Sequence, residues 1–429
     1  MFRVPRPRVA PVAIVATLFL AACGRDVSDT QAPSGAAARG PAALRSGAAA
    51  LGRAIFFDQN LSLKRNQSCS SCHDPAWGFS SPNPRINATG AVMFGSVRDR
   101  FGNRRPPSAA YATPAPVRFY NDEDGTYVGG NFWDGRATGA RLGVPAAEQA
   151  LGPFVNPVEQ ALPDQACAVY RAAYGRYRHL YRDTWGQAVD QISFPSNTDQ
   201  LCEKEGNTVP LSAEDRVRLA VEYDNMGRSV AAFEHSPEVN AYSSKHDAVV
   251  AGTATFTPKE AFGFALYVGK ANCAACHPND GARALFTDYT YDNIGVPANP
   301  RNPALLGDPL YRDLGVGGFF QQPGEYGKMK VPTLRNLDRR GAPNAPKSFM
   351  HNGAFKSLEQ VVHFYNTRDV LPACETIAAP RFGENCWPAP EVTENVNTDE
   401  LGNLGLTPDE ESAVVAYLKT LSDGWVRRN

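Results

Sequence analysis

The sequence carries almost no net charge and few long apolar runs. Among its 429 residues, Lys and Arg number 43 and Asp and Glu number 44, so the formal net charge is −1. A chain without an excess of basic residues has no field that attracts nucleic acid, and we expect no nucleic-acid partner. After the N-terminal segment, no apolar run approaches the roughly 18 residues that a membrane-spanning helix needs. The chain is also too long for one comfortable core, so two domains are expected.

Histidine and cysteine are scarce, with 7 and 9 residues, yet they form the same pentapeptide, Cys-x-x-Cys-His, twice. The two copies are Cys69, Cys72 and His73, and Cys273, Cys276 and His277. This spacing lets two thiols take up the vinyl groups of one haem as thioethers, with the histidine as the proximal iron ligand. A zinc site would need four converging ligands, and a redox pair would not need the histidine twice. The sequence therefore predicts two covalently bound haem c groups.

The N-terminus is typical of an exported protein. Residues 1–22 combine basic residues, a short apolar run and a small-residue cleavage site, which together predict a signal peptide. Cys23 follows directly and resembles the lipidated cysteine of bacterial lipoproteins; the alternative is an ordinary secretory signal that happens to contain a cysteine. Residues 23–45, rich in Ala, Gly, Ser and Pro, are expected to be a flexible tether. We predict a periplasmic protein whose contact with a membrane is a lipid anchor at Cys23.

Four cysteines remain after the haem motifs and Cys23. They are Cys167, Cys202, Cys374 and Cys386. An even number in an oxidising compartment predicts two disulfides, and three pairings are open. The pairing of sequence neighbours, Cys167 with Cys202 and Cys374 with Cys386, is the one that we favour.

Apolar spacing and capping signals predict short helices separated by long loops. Helices are expected over 48–57, 145–150, 165–185 and 212–233, with a loop-rich segment over 75–130. Thr257 and Thr407 each open a capping box, before the second haem motif and before the last helix. A helix before the haem and a C-terminal helix packed across it is the cytochrome c arrangement.

The sequence therefore predicts an all-α fold with few strands, made of two cytochrome c-type haem domains. The polar, broken stretch 236–256 is the expected boundary, which gives a domain over 46–245 and another over 246–429. The first domain is expected to be the more elaborated copy.

Several stretches, in order around the two haem motifs, carry a family resemblance. They are 51–58, the Phe-Trp-Asp-Gly-Arg sequence at 132–136, 148–159, 331–336 and 350–353. With them the chain resembles the bacterial di-haem cytochrome c peroxidase and MauG family over nearly its whole mature length. The resemblance implies that the first-domain haem reacts with peroxide and that the second-domain haem relays electrons.

The resemblance also implies roles for residues near the first haem. Glu159 occupies the position of the distal acid/base, and Gln149 and Pro153 match the neighbours that shape that pocket; the plain alternative for Glu159 is a solvated surface carboxylate. Trp133 corresponds to a tryptophan between the haems that passes electrons, or it is a buried structural residue. No histidine lies between His73 and His179, so a reactive first haem is expected without reductive activation, with Met93 as the only conventional substitute ligand at 80–110.

For the second haem, the resemblance places Tyr365 at the sixth ligand position, where peroxidases of the standard type have methionine and MauG has tyrosine. A phenolate stabilises ferric iron and lowers the reduction potential. A core aromatic is the alternative for Tyr365, and Met350, His351 and His363 are rival ligands.

Two departures set the chain apart from the family. Where the family holds calcium between its domains, the sequence offers Arg104 and Arg105, and an arginine could supply the cation's charge, so calcium is in doubt. Residues 138–145 lengthen the connection between Trp133 and Gln149, which indicates a divergent branch.

The leading functional prediction is a peroxidase that reduces hydrogen peroxide with electrons from a small periplasmic c-type cytochrome or cupredoxin. A MauG-like oxidase that modifies side chains of a partner protein is the alternative enzyme. A di-haem electron carrier is the non-catalytic alternative. Whether the protein dimerises stays open.

Overall fold

The computed structural model describes residues 47–427, all of which belong to one compact unit. The predicted signal peptide, Cys23 and the predicted tether lie outside the described residues. The described chain is mostly helical with few strands, which confirms the predicted fold class at that level. Within residues 47–427, no helix is long and apolar enough to cross a membrane.

Thirteen α-helices, seven short 3₁₀ turns and four short strands make up the regular structure of the described residues. The helices are α1 Ala48–Phe56, α2 Pro84–Ala88, α3 Pro145–Val155, α4 Gln165–Tyr174, α5 Arg178–Trp185, α6 Thr198–Leu201, α7 Ala213–Glu234, α8 Lys245–Val250, α9 Pro258–Val268, α10 Pro303–Gly307, α11 Gly315–Phe320, α12 Leu358–Thr367 and α13 Pro408–Lys419. Strand β1 (Phe119–Asn121) pairs antiparallel with β2 (Thr126–Val128), and β3 (Tyr291–Asp292) pairs antiparallel with β4 (Met329–Lys330).

Local signals set most helix starts. Ser212, Thr257 and Thr407 are the N-caps of α7, α9 and α13, and the last two form complete capping boxes, as predicted. The prediction of one helix over 165–185 is wrong: α4 ends at Tyr174, since Gly175 takes an extended conformation (ψ −159°) and the chain turns before α5. The hairpin of β1 and β2, inside the predicted loop 75–130, was also missed.

Two helix pairs repeat the same close contact. Helix α1, before the first Cys-x-x-Cys-His sequence, packs against α7, and α9, before the second, packs against α13. A Cβ atom on Gly52 would lie 1.8 Å from the Ser229 carbonyl oxygen, and one on Gly263 would lie 1.9 Å from that of Ala413. Only glycine permits these approaches, so the two halves of the chain use the same packing solution.

Gly52→Ala and Gly263→Ala are each expected to destabilise the protein. The added methyl group must push two helix backbones apart, and such overpacking costs about 1–3 kcal/mol. Denaturant unfolding of the purified holoprotein measures the effect, with Gly307→Ala as the control because a Cβ there meets nothing within 4 Å. Equal midpoints for all three variants would show that the helix pairs separate without cost.

Both predicted disulfides are present. Cys167 on α4 is bonded to Cys202 after α6, and Cys374 is bonded to Cys386. The other four described cysteines, those of the two haem motifs, are outside disulfides. The favoured pairing of sequence neighbours is therefore confirmed.

Candidate functional site

The two Cys-x-x-Cys-His sequences fold into the same turn. Residues Cys69–Ser71 and Cys273–Ala275 each form one turn of 3₁₀ helix. The backbone N–H of His73 donates to the Cys69 carbonyl, and that of His277 donates to the Cys273 carbonyl, both at 2.9 Å. Each turn therefore holds its two thiols and its histidine close together.

Both histidines are oriented in the same way. Nδ1 of His73 lies 3.1 Å from the Phe79 carbonyl oxygen, and Nδ1 of His277 lies 2.8 Å from that of Phe286. A carbonyl oxygen can only accept, so Nδ1 carries the proton and the Nε2 lone pair is left for a metal. Burial lowers the pKa of both imidazoles, which keeps them neutral. These features fit proximal ligands to haem iron.

One cavity is lined by residues of both motifs. Its wall includes His73 from the first turn and Cys273, Cys276 and His277 from the second. Trp133 also lines this cavity, and its indole N–H donates to the Arg105 carbonyl oxygen at 2.9 Å. Trp133 therefore lies on the same cavity wall as His73 and His277.

The predicted distal residues follow one another along α3 and the loop after it. Gln149 lines the cavity, and Pro153 lies inside α3, where its carbonyl oxygen accepts from the Gln160 N–H at 3.1 Å. The Glu159 backbone is fixed because its carbonyl accepts from the Ser96 N–H at 2.7 Å. This loop therefore holds Glu159 in a defined position.

The Glu159 carboxyl lies on the side of the first motif. Burial first, and then the charge of Glu159, raise the pKa of the Cys72 thiol, which places the two groups close together. Burial raises the pKa of Glu159 itself, against the opposing influence of Arg136 and Asn156. A partly buried carboxyl beside the first motif is a group that can hold and release a proton.

Met93, the substitute ligand considered for the first site, has another partner. Its sulfur accepts a hydrogen bond from the Ser81 hydroxyl at 3.3 Å. This contact engages the thioether within its own loop.

Tyr365 extends from α12 to the cavity wall near the second motif. Burial, followed by the nearby Cys276 and Cys273, raises the pKa of its phenol, so the ring lies close to the two cysteines of the second motif. This position agrees with a ligand role and also with a packed aromatic, because Tyr365 packs against a buried apolar cluster that includes Phe355, Val362 and Leu418.

The rival ligands for the second site are not equivalent. Met350 and His351 also line the cavity, and His351 Nε2 lies 3.3 Å from the Glu391 carboxylate. His363, on the same helix as Tyr365, places Nδ1 2.9 Å from the Glu411 carboxylate on α13. The structure therefore engages His363 with α13 and leaves Met350, whose sulfur accepts no hydrogen bond from residues 47–427, as the remaining rival.

Glu234 is a residue that the sequence analysis missed. It ends α7 with its side chain buried, and its Oε2 atom has no hydrogen-bond partner among the described residues. Burial raises its pKa to about 8, and its charge affects Cys69, so a second unusual carboxyl lies near the first motif. The only signal was an acidic residue at the end of an apolar run, 230–233.

Arg104 forms a buried ion cluster between distant parts of the chain. Its guanidinium donates to Asp313 through Nε at 2.6 Å and Nη2 at 2.7 Å, and to Asp134 through Nη1 at 2.5 Å. Asp134 also accepts from Arg136 Nη1 at 2.7 Å. Although burial acts in the opposite direction, Arg104 lowers the pKa of Asp313 to about 2. Arg104 is therefore a positive charge held between the carboxylates of Asp134 and Asp313.

Comparison with known proteins gives a consistent picture. Residues 46–255 match the family described as di-haem cytochrome c peroxidase. The methylamine utilization protein MauG of Paracoccus denitrificans is 34% identical over 385 residues, which cover 87% of this chain and 88% of that protein. Cytochrome-c peroxidase IdrP2 of Denitromonas iodatirespirans is 25% identical over 393 residues, covering 87% and 80%. The crystal structure of the diheme peroxidase BthA from Burkholderia thailandensis is similar with a TM-score of 0.68 and 29% identity, covering 89% and 88%.

Proposed function

The chain belongs to the di-haem cytochrome c peroxidase family, and from that premise we propose that it reduces hydrogen peroxide to water with electrons from a small redox protein. The observation that carries the proposal is the pair of matching Cys-x-x-Cys-His turns, whose histidines line one cavity together with Trp133. A small c-type cytochrome or cupredoxin is the proposed donor.

Each turn is proposed to hold one haem c. Cys69 and Cys72 would attach the first haem and His73 would bind its iron, while Cys273, Cys276 and His277 would do the same for the second. Bound haem would supply an iron that reacts with peroxide at one site and exchanges electrons at the other. The repeated helix pairs support two cytochrome c-like domains, 46–245 and 246–429.

Glu159 is proposed to move the peroxide proton. Its carboxylate oxygen takes the proton from one peroxide oxygen and returns it to the departing hydroxide, so the same group serves as base and then as acid. The raised pKa of Glu159 supports this role, because a proton is returned more readily at a pKa near the working pH. Gln149 and Pro153 are proposed to shape the space around the peroxide.

Trp133 is proposed to carry electrons between the two sites. Its ring is buried, its N–H is fixed on the Arg105 carbonyl, and it lies edge-to-face with His351 at 6.4 Å between centroids. A ring fixed in this way keeps a constant distance to both sites. Arg104, between Asp134 and Asp313, is proposed to take the place of a calcium ion.

A MauG-like oxidase acting on a partner protein is the second candidate. It is favoured by Tyr365 on the cavity wall and by the higher identity to MauG, 34%, than to IdrP2, 25%. The di-haem electron carrier has less support, because Glu159 lies beside the first motif and Met93 is bonded within its own loop. Export to the periplasm and lipidation at Cys23 remain proposals from the sequence.

We expect the protein as isolated, with both irons ferric, to react with peroxide without prior reduction. The reason is that no histidine lies between His73 and His179 and that the Met93 sulfur accepts from Ser81. Haem content of the denatured protein, a resting electron paramagnetic resonance spectrum and rapid mixing with peroxide measure this.

The outcomes separate the candidates. Two covalent haems, a high-spin ferric signal and peroxide consumption with a reduced donor support the peroxidase. Turnover that appears only after reduction of one haem would show that a ligand closes the first site, and Met93→Leu would test whether it is Met93. Two low-spin irons and no peroxide reaction would leave the electron carrier.

A further inference from the structure

Three basic side chains on the cavity wall have no carboxylate within ion-pair distance among residues 47–427. They are Arg105, Lys330 and Lys347. Arg335 lines the same cavity, but its guanidinium is paired with Asp247 at 2.8 Å. Three of the four arginine and lysine side chains on this wall are therefore without a carboxylate partner.

Each of the three donates only to neutral acceptors. Arg105 donates from Nε to the Met350 carbonyl and from Nη1 to the Ser80 hydroxyl, both at 3.0 Å. Lys330 Nζ donates to the Gly130 carbonyl at 2.5 Å and to the Asn131 side-chain oxygen at 3.0 Å.

Lys347 is held in a similar way. Its Nζ atom donates to the carbonyl oxygens of Asn336 at 3.0 Å and Arg339 at 2.7 Å. Burial lowers the pKa of Lys330 to about 7 and that of Arg105 to about 10, and it also lowers the pKa of Lys347. Cations withdrawn from water in this way are costly unless an anion comes to them.

The proposed cofactors bring such anions, since each haem carries two propionate carboxylates. We propose that Arg105, Lys330 and Lys347 bind propionates of the two haems; the inference rests on the proposed di-haem function. An ion pair inside a cavity of low dielectric constant is stronger than one in water, so these cations would also set the reduction potentials.

Position assigns the cations to haems. Arg105 donates to Ser80, the residue after Phe79, whose carbonyl oxygen lies 3.1 Å from His73 Nδ1. Lys347 donates to Asn336 and Arg339, which both lie against Gly78, the residue before Phe79, so these two cations lie on the first-haem side. The Nζ atom of Lys330 lies 5.4 Å from the centre of the Tyr289 ring, three residues after Phe286, whose carbonyl oxygen lies 2.8 Å from His277 Nδ1, so we assign Lys330 to the second haem.

The competing explanation is that these side chains only fasten loops through carbonyl oxygens. Lys356 is a matched control for that explanation. Its Nζ atom donates to the Thr89 and Gly353 carbonyls at 2.6 and 2.7 Å, and burial lowers its pKa to about 8, yet it is not one of the residues that line the cavity. Loop fastening predicts the same outcome for Lys356→Met as for the lysines on the wall.

The test is a spectroelectrochemical titration of the holoprotein. Lys330→Met and Lys347→Met remove the charge, Lys330→Arg and Arg105→Lys retain it, and Lys356→Met is the control. Loss of a cation beside a propionate favours ferric iron. The equilibrium constant for reduction of the assigned haem should therefore fall about tenfold, which lowers its reduction potential by about 59 mV for one electron. The charge-retaining variants should stay close to the wild-type potentials.

Covalent haem content of the wild type, measured in the same samples, separates this inference from the proposed function. The propionate assignment alone would be overturned if the wild type holds two haems and no variant shifts their reduction potentials. It would also be overturned if Lys356→Met shifts a potential as much as Lys330→Met and Lys347→Met do. A wild type without covalent haem would overturn the function as well. If Lys347→Met does not fold, the pair Lys330→Met and Lys330→Arg decides the outcome.

Discussion

Replacing Glu159 with glutamine is expected to slow the reaction with peroxide by about 10²–10⁴-fold, while both haem spectra stay nearly unchanged. Glutamine keeps the size of the side chain and its polarity, but it can neither take the peroxide proton nor return it. The Glu159 backbone should stay in place because the Ser96 N–H holds its carbonyl. Rapid mixing with peroxide under pseudo-first-order conditions measures the rate.

The pH profile adds a signature that a purely structural role would not produce. The carboxylate form of Glu159 accepts the proton, so the rate should fall as the pH drops through its pKa. Burial raises that pKa above the value of about 4.3 for an ordinary glutamate, so the loss should begin at a higher pH than for an exposed carboxyl. The Glu159→Gln profile should lack this inflection.

Two further variants test the assignment. Glu205→Gln changes an exposed glutamate paired with Arg100 and should leave the rate as in the wild type. Glu234→Gln changes the other buried carboxyl near the first motif. A large loss in Glu234→Gln together with a normal rate in Glu159→Gln would move the acid/base role to Glu234.

Tyr365→Phe is expected to change the spectrum and the reduction potential of the second haem. It should not slow the reaction of the first haem with peroxide as Glu159→Gln does. Removal of the phenol oxygen takes away the proposed ligand, so the second iron should become high-spin or bind another donor. Because phenolate stabilises ferric iron, the potential of this haem should rise by at least about 59 mV, a tenfold change in the equilibrium constant. Absorption and paramagnetic resonance spectra with a redox titration measure these changes.

The control is Tyr289→Phe, which removes a phenol oxygen elsewhere on the same cavity wall and should leave the second-haem spectrum intact. An unaltered spectrum in Tyr365→Phe would show that Tyr365 packs in the core. Met350→Leu would then test the rival thioether. His363→Gln tests the remaining rival ligand less strongly, because the His363 ring is already hydrogen-bonded to Glu411.

Local sequence was enough for the features that depend on residues close together in the chain. Haem attachment needs two thiols and a histidine within five residues, and the two turns present them as the spacing predicted. The capping boxes at Thr257 and Thr407 are likewise local. The disulfides are less so, because Cys167 and Cys202 are 35 residues apart and the folded chain selected one of three possible pairings. The roles of Glu159, Trp133 and Tyr365 stay predictions, supported by where the structure places them.

The sequence by itself thus determined the haem motifs and the mostly helical fold class, because short-range chemistry and periodicity carry those signals, while the family was indicated by the resemblance of several ordered motifs. Only the tertiary structure decided where α4 ends, that Gly52 and Gly263 sit at helix crossings, and that Glu234 is buried without a partner. It also decided which cations lack a carboxylate, since Arg104 and Arg105 are adjacent in sequence yet only Arg104 meets Asp313. Pairing between distant residues depends on where loops cross in the folded chain, and no local pattern encodes that crossing.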